Sequence, residues 1–233
     1  MGAPRDAYRR LSVVVLAAGV LLLGTSAART GPPLDGETCP DYGDIVDRES
    51  MQGFDIERYQ GIWYSAAVHE PSEPAACRCD QYNWTITSPE TYSNRLTASC
   101  GRFPLDLSIV GKMSSDPANP GDTLEGMPPA FPLIPLQILY VEPNGTSQEY
   151  TACIRYACKK DYWVAAPPFY YPLFESVQIF TREQVASQAT LNRLVQKAVD
   201  IGIVEDVSKL RNLTYSGCSA PSEIQGFDEV VYT

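Results

Sequence analysis

Metal-binding and catalytic side chains are scarce in this sequence. It has one histidine, His69, in 233 residues, and its most closely spaced cysteines, Cys77 and Cys79, have no second pair at the same spacing. The motifs G-x-S-x-G and H-E-x-x-H and a glycine-rich phosphate loop are also missing. We therefore expect neither a metal nor a cofactor, and the pattern does not favour hydrolytic or nucleotide-dependent chemistry.

Basic residues are outnumbered by acidic ones. The chain has 18 Lys and Arg against 28 Asp and Glu, which gives a formal net charge of -10. An acidic surface repels phosphate groups, and this argues against nucleic acid or an anionic membrane as the partner.

Long apolar runs are limited to one, at residues 11–23. Arginines precede it, and small residues suited to cleavage follow at Ala27 and Ala28. Because the run is shorter than the roughly 20 residues that span a bilayer, we interpret residues 1–28 as a secretory signal peptide rather than a membrane anchor. All seven cysteines follow this segment, and so do glycosylation sequons at Asn83, Asn144 and Asn212. Together these features predict a secreted, disulfide-bonded glycoprotein.

Short segments with strand character follow from about residue 60, separated by Pro, Gly and Asn clusters at the spacing of an all-β sandwich or barrel. The eight predicted strands are residues 61–68, 80–87, 92–100, 105–113, 122–127, 137–142, 149–157 and 175–182. A helix is predicted next, capped by Ser187 or Thr190 and ended by Gly202. Its apolar face, which we expect to pack on the outside of the sheet, contains Leu191, Leu194, Val195, Ala198 and Val199.

Two segments in this arrangement carry a recognisable signature. Residues 54–64, FDIERYQGIWY, end in G-x-W, and IFTR at residues 179–182 closes the last predicted strand just before the helix. In this context the pair resembles the lipocalin family. The segments around Cys79, at 131–139 and at 156–158 are similar in order and spacing to apolipoprotein D and to the crustacyanins and bilin-binding lipocalins. The family's middle motif, Thr-Asp-Tyr, is replaced here by Val-Glu-Pro at 141–143.

The resemblance covers about residues 37–220 and implies an eight-stranded antiparallel up-and-down β-barrel, the lipocalin calyx, with one C-terminal α-helix packed outside. It also implies a plug at the closed end of the barrel. Trp63 would supply a large ring, Arg182 would lie over its face, and Gly61 would let the chain turn where a Cβ would clash.

Disulfide pairings follow partly from the resemblance and partly from a hairpin. The resemblance implies Cys39–Cys158 and Cys79–Cys218. A hairpin of strands two and three about Pro89 places Cys77 opposite residue 101, which predicts Cys77–Cys100 within a residue or two. Cys153 is then the odd thiol, available for a dimer or as the nucleophile of a lipocalin-type enzyme.

Side-chain direction in the predicted barrel follows from alternation. A glycan on Asn83 must face solvent, so Tyr82, Trp84 and Ile86 face inward, and the aliphatic residues of strand four do likewise. Strand seven stays ambiguous, because Arg155 and the bridge at Cys158 favour opposite orientations. The predicted ligand-binding residues are Tyr82, Trp84, Ile86, Leu107, Ile109, Tyr140, Gln178 and Phe180.

Two apolar, proline-broken segments, WVAAPPFYYPLF at 163–174 and PPAFPLIP at 128–135, are predicted as loops at the open end of the barrel. Exposed apolar clusters mark interaction sites. We expect a contact with a membrane or lipoprotein surface through Phe131, Trp163, Phe169, Tyr170 and Tyr171; the alternative is a lid over the pocket.

The predicted organisation is a signal peptide at 1–28, an N-terminal segment at 29–52 tied on by a disulfide, a β-barrel at 53–182, and a helix with an anchored tail at 183–233. The predicted function is a secreted carrier of a small hydrophobic ligand such as a fatty acid, retinoid, sterol, carotenoid or bilin. The alternatives are an isomerase or de-epoxidase that acts on a lipophilic substrate, and a tightly filled barrel without a cavity.

Overall fold

The computed structural model describes residues 38–129, 131–145, 149–165 and 168–218. The predicted signal peptide at 1–28 lies outside these ranges. Within them the chain forms α1 (Tyr42–Ile45), β1 (Gly61–His69), β2 (Cys77–Ser88), β3 (Thr91–Cys100), β4 (Phe103–Lys112), β5 (Leu124–Met127), β6 (Phe131–Pro143), β7 (Tyr150–Ala165), β8 (Pro168–Thr181), α2 (Gln188–Ile201) and β9 (Arg211–Asn212).

The strands form a closed antiparallel barrel. Each strand from β2 to β8 pairs with its neighbour in sequence, β8 pairs with β1, and β1 pairs with β2. The short β9 adds to the edge of β1. The predicted fold, an eight-stranded barrel with a helix after the last strand, is therefore confirmed.

The barrel is fully closed only near the end where β1 begins. There Gly61–Tyr64 pair with Gln81–Trp84, and Val110–Lys112 of β4 pair with Leu124–Gly126 of β5. Beyond these short ladders neither pair of strands continues to hydrogen-bond within the described residues. The walls therefore separate towards the opposite end, which is the open end.

Helix α2 packs against the outside of the barrel, as predicted. Ser187 Oγ accepts a hydrogen bond from the Thr190 backbone N–H, and Gly202 ends the helix at φ 88°, in the left-handed region that favours glycine. Leu191, Leu194 and Ala198 are buried in a cluster with outward residues of β7 and β8. None of the helices in the described ranges is both long and apolar enough to cross a membrane.

The three predicted disulfides are present: Cys39–Cys158, Cys77–Cys100 and Cys79–Cys218. The hairpin of β2 and β3 places Cys77 directly opposite Cys100. Cys39 and Cys218 lie outside the barrel strands, so their bridges attach the N-terminal segment to β7 and the C-terminal segment to β2.

The prediction of loops throughout 163–174 and 128–135 is wrong, although residues 128 and 129 do lie in a turn between β5 and β6. β7 and β8 continue as one hairpin to Ala165 and Pro168, and β6 begins at Phe131. Proline fits a strand whose N–H needs no partner, as at a sheet edge. β8 pairs with β1 only from Val177 onward, so its proline-containing first half is such an edge.

Candidate ligand-binding site in the barrel

The closed end of the barrel is plugged by Arg182 and Trp63. The guanidinium carbon lies 3.9 Å from the centroid of the Trp63 ring. The Arg182 nitrogens donate to the backbone carbonyls of Arg58, Tyr59, Gln60, Ile62 and Tyr150. Gly61 has φ 95°, and a Cβ there would lie 3.2 Å from Arg182 Nη1. These three residues therefore make the contacts that the predicted plug requires.

Aromatic rings fill the half of the barrel above this plug. Tyr59 lies 4.9 Å from Trp63 and 4.8 Å from Trp84 between ring centroids, and Trp84 stacks on Tyr92 at 4.1 Å. Gly111 is required opposite Tyr92, because a Cβ there would lie 2.0 Å from the Tyr92 ring. This half is a packed core, so it leaves no room for a ligand.

A charged pair lies on top of the aromatic rings. Arg155 of β7 is fully buried, and its Nη2 lies 2.7 Å from Oε1 of Glu125, which is 3% exposed. The guanidinium carbon lies 4.7 Å from the Trp84 ring centroid and 5.7 Å from that of Phe180. The Glu125 carboxylate also accepts a hydrogen bond from Asn94 Nδ2. Nearby negative charge, chiefly Glu125, raises the pKa of Arg155 despite its burial.

The orientation of β7 is resolved by this pair. Arg155 faces inward, whereas Ile154 and Tyr156 face outward into the cluster beneath α2. The bridge at Cys158 therefore indicated the correct orientation, and the charge of Arg155 was misleading. The sequence gives no direct signal for a buried ion pair whose members are on different strands.

The inward side chains towards the open end include a small buried cluster around Ile134 and Phe174, but others are small or only half-buried. Ala157 of β7 lies opposite Ser176 of β8, and Ala98 of β3 lies opposite Leu105 of β4. The inward residues Leu105 and Leu107 of β4 are half-buried, although the outward neighbours Asp106 and Ser108 are exposed. Side chains that face into a barrel and yet remain partly accessible indicate that this half is open.

The chain matches no protein-family model and no curated protein, but it resembles solved structures. Apocrustacyanin C1 superposes with a TM-score of 0.53 at 18% identity, covering 77% of this chain and 91% of that one. Insecticyanin from the tobacco hornworm Manduca sexta gives 0.52 at 15% identity, with 77% and 87% covered. H1 crustacyanin from the lobster Homarus americanus gives 0.52 at 18%, with 77% and 91% covered.

The protein has the lipocalin fold. At these identities the likeness extends to the architecture of the calyx and no further, so the more specific similarity to apolipoprotein D stays a prediction.

Most of the predicted ligand-binding residues lie inside this lipocalin calyx, at different depths. Tyr82, Trp84 and Phe180 belong to the packed aromatic half, where Tyr82 and Phe180 are 4.8 Å apart between ring centroids. Gln178 is buried beside Arg155 in the β7–β8 register. Leu107 is half-buried and lies nearest the open half, whereas Ile86 pairs with Tyr92 and Ile109 packs against the aromatic cluster.

The prediction for Tyr140 is wrong. A bulge in the β6–β7 ladder between Ile138 and Tyr140 shifts the alternation, so that Tyr140 faces α2 instead of the interior. Its hydroxyl donates to Glu142 Oε1 at 2.9 Å, and Lys197 Nζ lies 5.3 Å from its ring centroid.

Three carboxylates, which were not predicted, lie where β1 and β2 separate. Asp80 and Glu73 are neighbours, and Arg211 forms an ion pair with Glu73. Burial raises the pKa of Asp80 to about 6, and burial together with the charge of Asp80 raises that of Glu73 to about 7. Burial also raises the pKa of Glu70, whose carboxylate accepts hydrogen bonds from the backbone N–H and the hydroxyl of Ser72. Acidic side chains therefore line one wall of the open half.

The tip of the β7–β8 hairpin has two different faces. Tyr162 and Tyr171 pack with Phe174 over the open end, at 5.0 and 5.5 Å from its ring centroid, and Phe131 packs against the same cluster. On the other face the rings of Trp163 and Tyr170, 61% and 44% exposed, are 4.7 Å apart. The side chain of Phe169 lies outside the described part of the chain. The hairpin therefore combines a packed aromatic face with an exposed aromatic pair.

The free thiol of Cys153 lies deep in the aromatic half. It is fully buried and contacts the Tyr59 hydroxyl at 3.0 Å. Burial raises its pKa to about 12, which opposes formation of a nucleophilic thiolate. A thiol in this position cannot reach a second chain, so the predicted dimer through Cys153 is wrong.

No group of three or more His, Cys, Asp and Glu in the described ranges is arranged to hold a metal ion.

Proposed function

We propose that the protein is a carrier that binds one small, mainly apolar ligand in the open half of the calyx. The observation that carries this proposal is the division of the barrel. Large rings fill the closed half, whereas the open half is lined by small side chains, half-buried aliphatic ones such as Leu105 and Leu107, and a smaller cluster around Ile134 and Phe174. Such a lining favours an elongated or planar apolar molecule with few polar groups. Fatty acids, retinoids, sterols, carotenoids and bilins all meet this description.

A neutral fluorescent probe tests the carrier proposal. Nile red is expected to bind the purified protein with a saturating emission change at about one molecule per chain. Leu107→Trp places a large ring inside the open half and should abolish the signal. Ser108→Trp, on the same strand but facing solvent, is the matched control and should bind normally. Equal binding by both variants, or no saturable binding by the natural protein, would refute the proposal.

The exposed face of the β7–β8 hairpin is proposed as a contact with a membrane or lipoprotein surface during ligand transfer. Support comes from the adjacent rings of Trp163 and Tyr170, since aromatic residues with one polar end suit a lipid–water boundary. Lys159 and Lys160 are exposed on the same hairpin. The hydroxyl of Tyr170 donates to Asp161 at 2.5 Å, which helps to hold its ring beside Trp163.

Vesicle flotation tests this contact separately from ligand binding. Trp163→Ser with Tyr170→Ser is expected to reduce association with zwitterionic vesicles while Nile red affinity is unchanged. Val185→Ser is the control, because Val185 is 71% exposed but follows the end of β8, at the closed end of the barrel. If the control weakens vesicle association as much as the double variant does, the hairpin has no special role.

Export to an oxidising compartment is part of the proposal. The three disulfides support it, because such bonds persist outside the cytosol. Asn83 and Asn212 are exposed and therefore accessible to a glycan, whereas Asn144 is half-buried. Expression in a secreting eukaryotic cell, followed by enzymatic deglycosylation, should give a loss of mass if these sequons are used.

A further inference from the structure

Arg155 carries more hydrogen-bond capacity than the protein uses. A guanidinium has five N–H donors, yet within the described residues its Nε and Nη1 have no hydrogen-bond partner and its Nη2 forms only the ion pair with Glu125. The indole N–H of Trp84, the ring on which the guanidinium rests, is also unpartnered. Buried donors without acceptors are rare and costly, on the order of 1–3 kcal/mol each. The neighbouring acceptors Gln178 Oε1 and Asn94 Oδ1 are also unpartnered in the described part of the chain and do not bond to Arg155, so its free donors remain available to an acceptor from outside the protein.

The register of the barrel places Arg155 directly below the open half. Arg155 pairs with Gln178, and the next inward pair towards the open end is Ala157 with Ser176. Arg155 is fully buried, and Ala157 packs with Ile134 and Phe174 in the buried cluster above it. Below it lie the Trp84 and Phe180 rings, so a head group that displaces this cluster meets Arg155 at the floor of the open half.

We propose that Arg155, with the Trp84 indole N–H, forms the floor of the site and binds the carboxylate end group of an apolar ligand that enters head-first. This inference rests on the carrier proposed above and deepens it by naming the ligand class, a fatty acid or another carboxylate-bearing lipid. The planar guanidinium fork matches a carboxylate, and the surrounding rings exclude water, which strengthens the attraction. Glu125 remains paired with Nη2 of Arg155, so the N–H groups on Nε and Nη1 are available to the ligand carboxylate.

The ligand series dodecanoic acid, dodecanol and dodecylamine tests this assignment by displacement of Nile red. The three molecules share one apolar chain and differ only in the end group. The acid is expected to bind about tenfold more tightly than the alcohol, the equivalent of 1.4 kcal/mol. The amine should bind most weakly, because its charge is repelled by Arg155. Equal affinity of acid and alcohol overturns the inference, as does tightest binding of the amine, which would point instead to Glu70, Glu73 and Asp80.

Two variants connect the preference to Arg155. Arg155→Met alone would leave Glu125 as a buried unpaired charge, so it is combined with Glu125→Gln, which removes both charges together. The double variant should lose the preference for the acid but bind dodecanol as the natural protein does. Glu125→Gln alone retains the arginine and should keep that preference. If the double variant keeps the preference, the inference is wrong, whereas absence of saturable Nile red binding in the natural protein would overturn the carrier proposal itself.

Discussion

Arg182 at the end of β8 lies flat on Trp63 near the start of β1, with 3.9 Å between the guanidinium carbon and the ring centroid. The two residues are far apart in sequence, and the contact joins the first and eighth strands where the barrel closes. Arg182 also donates to the backbone carbonyls around Gly61. One side chain therefore supplies hydrogen-bond donors to several carbonyls of an irregular turn.

Replacement of Arg182 should therefore destabilise the barrel strongly. We expect Arg182→Ala to lower the free energy of unfolding by about 3 kcal/mol, because several buried carbonyls lose a charged donor. Urea unfolding followed by fluorescence measures the change. Arg95→Ala is the control, since Arg95 pairs with Asp106 on the exposed surface and should cost less than about 1 kcal/mol. Similar losses for both variants would contradict this role of Arg182.

The long-range disulfide should stabilise more than the hairpin disulfide. Cys39–Cys158 closes 119 residues and Cys77–Cys100 closes 23. Chain entropy in the unfolded state then favours the longer bridge by about 1.5 kcal/mol. Paired Cys→Ser variants of each bridge, compared by urea unfolding, check the order. A greater loss from the hairpin bridge would show that local geometry outweighs chain entropy here.

The carboxyl of Asp80 should make stability fall as pH rises. Its pKa is about 6, raised from 3.8 mainly by burial, so the folded state binds the proton more tightly than the unfolded chain does. Stability from this group is therefore fully present below pH 3.8 and lost as pH rises through 6. Asp80→Asn should gain stability relative to the natural protein between pH 4 and pH 8, by on the order of 2 kcal/mol.

Asp106→Asn is the control for this pH dependence. The Arg95 guanidinium holds the pKa of Asp106 below its usual value, so its titration is complete below about pH 4. The stability difference between this variant and the natural protein should be constant from pH 5 to pH 8. A flat difference for Asp80→Asn as well would mean that Asp80 is ionised throughout this range.

The thiol of Cys153 should be unreactive in the folded protein. It is fully buried, and burial raises its pKa to about 12. Iodoacetamide at pH 8 is expected to leave the native protein unmodified and to add one group per chain after unfolding in urea without reductant. Mass spectrometry distinguishes the two states. Rapid labelling of the native protein would reopen the possibility of a thiol-dependent enzyme.

Features that depend on a local motif were predictable from the sequence. The G-x-W segment, the closing Arg182 and the helix caps at Ser187 and Gly202 are recognisable from a few adjacent residues. The pairing of Cys77 with Cys100 followed from the position of one turn. Each of these features depends on local geometry that a few neighbouring residues determine.

Features that depend on the exact alternation of a strand were not predictable. One bulge in β6 was enough to turn Tyr140 from the predicted pocket to the helix side. The Arg155–Glu125 pair joins two strands, and a charged residue in a strand ordinarily indicates solvent. The prolines of the β7–β8 hairpin indicated a loop, because the sequence does not reveal that this part of β8 lies at a sheet edge.

The division of the barrel into a filled half and an open half also separates two design problems. Rings around Trp63 and Trp84 hold the fold, while the open half is lined by side chains that contribute little to that core. A library that randomises Ala98, Leu107, Ala157 and Ser176 would change the shape of the open half and leave the aromatic core of the closed half unchanged. The scaffold is therefore suited to selection for new small-molecule specificities without a matching loss of folding yield.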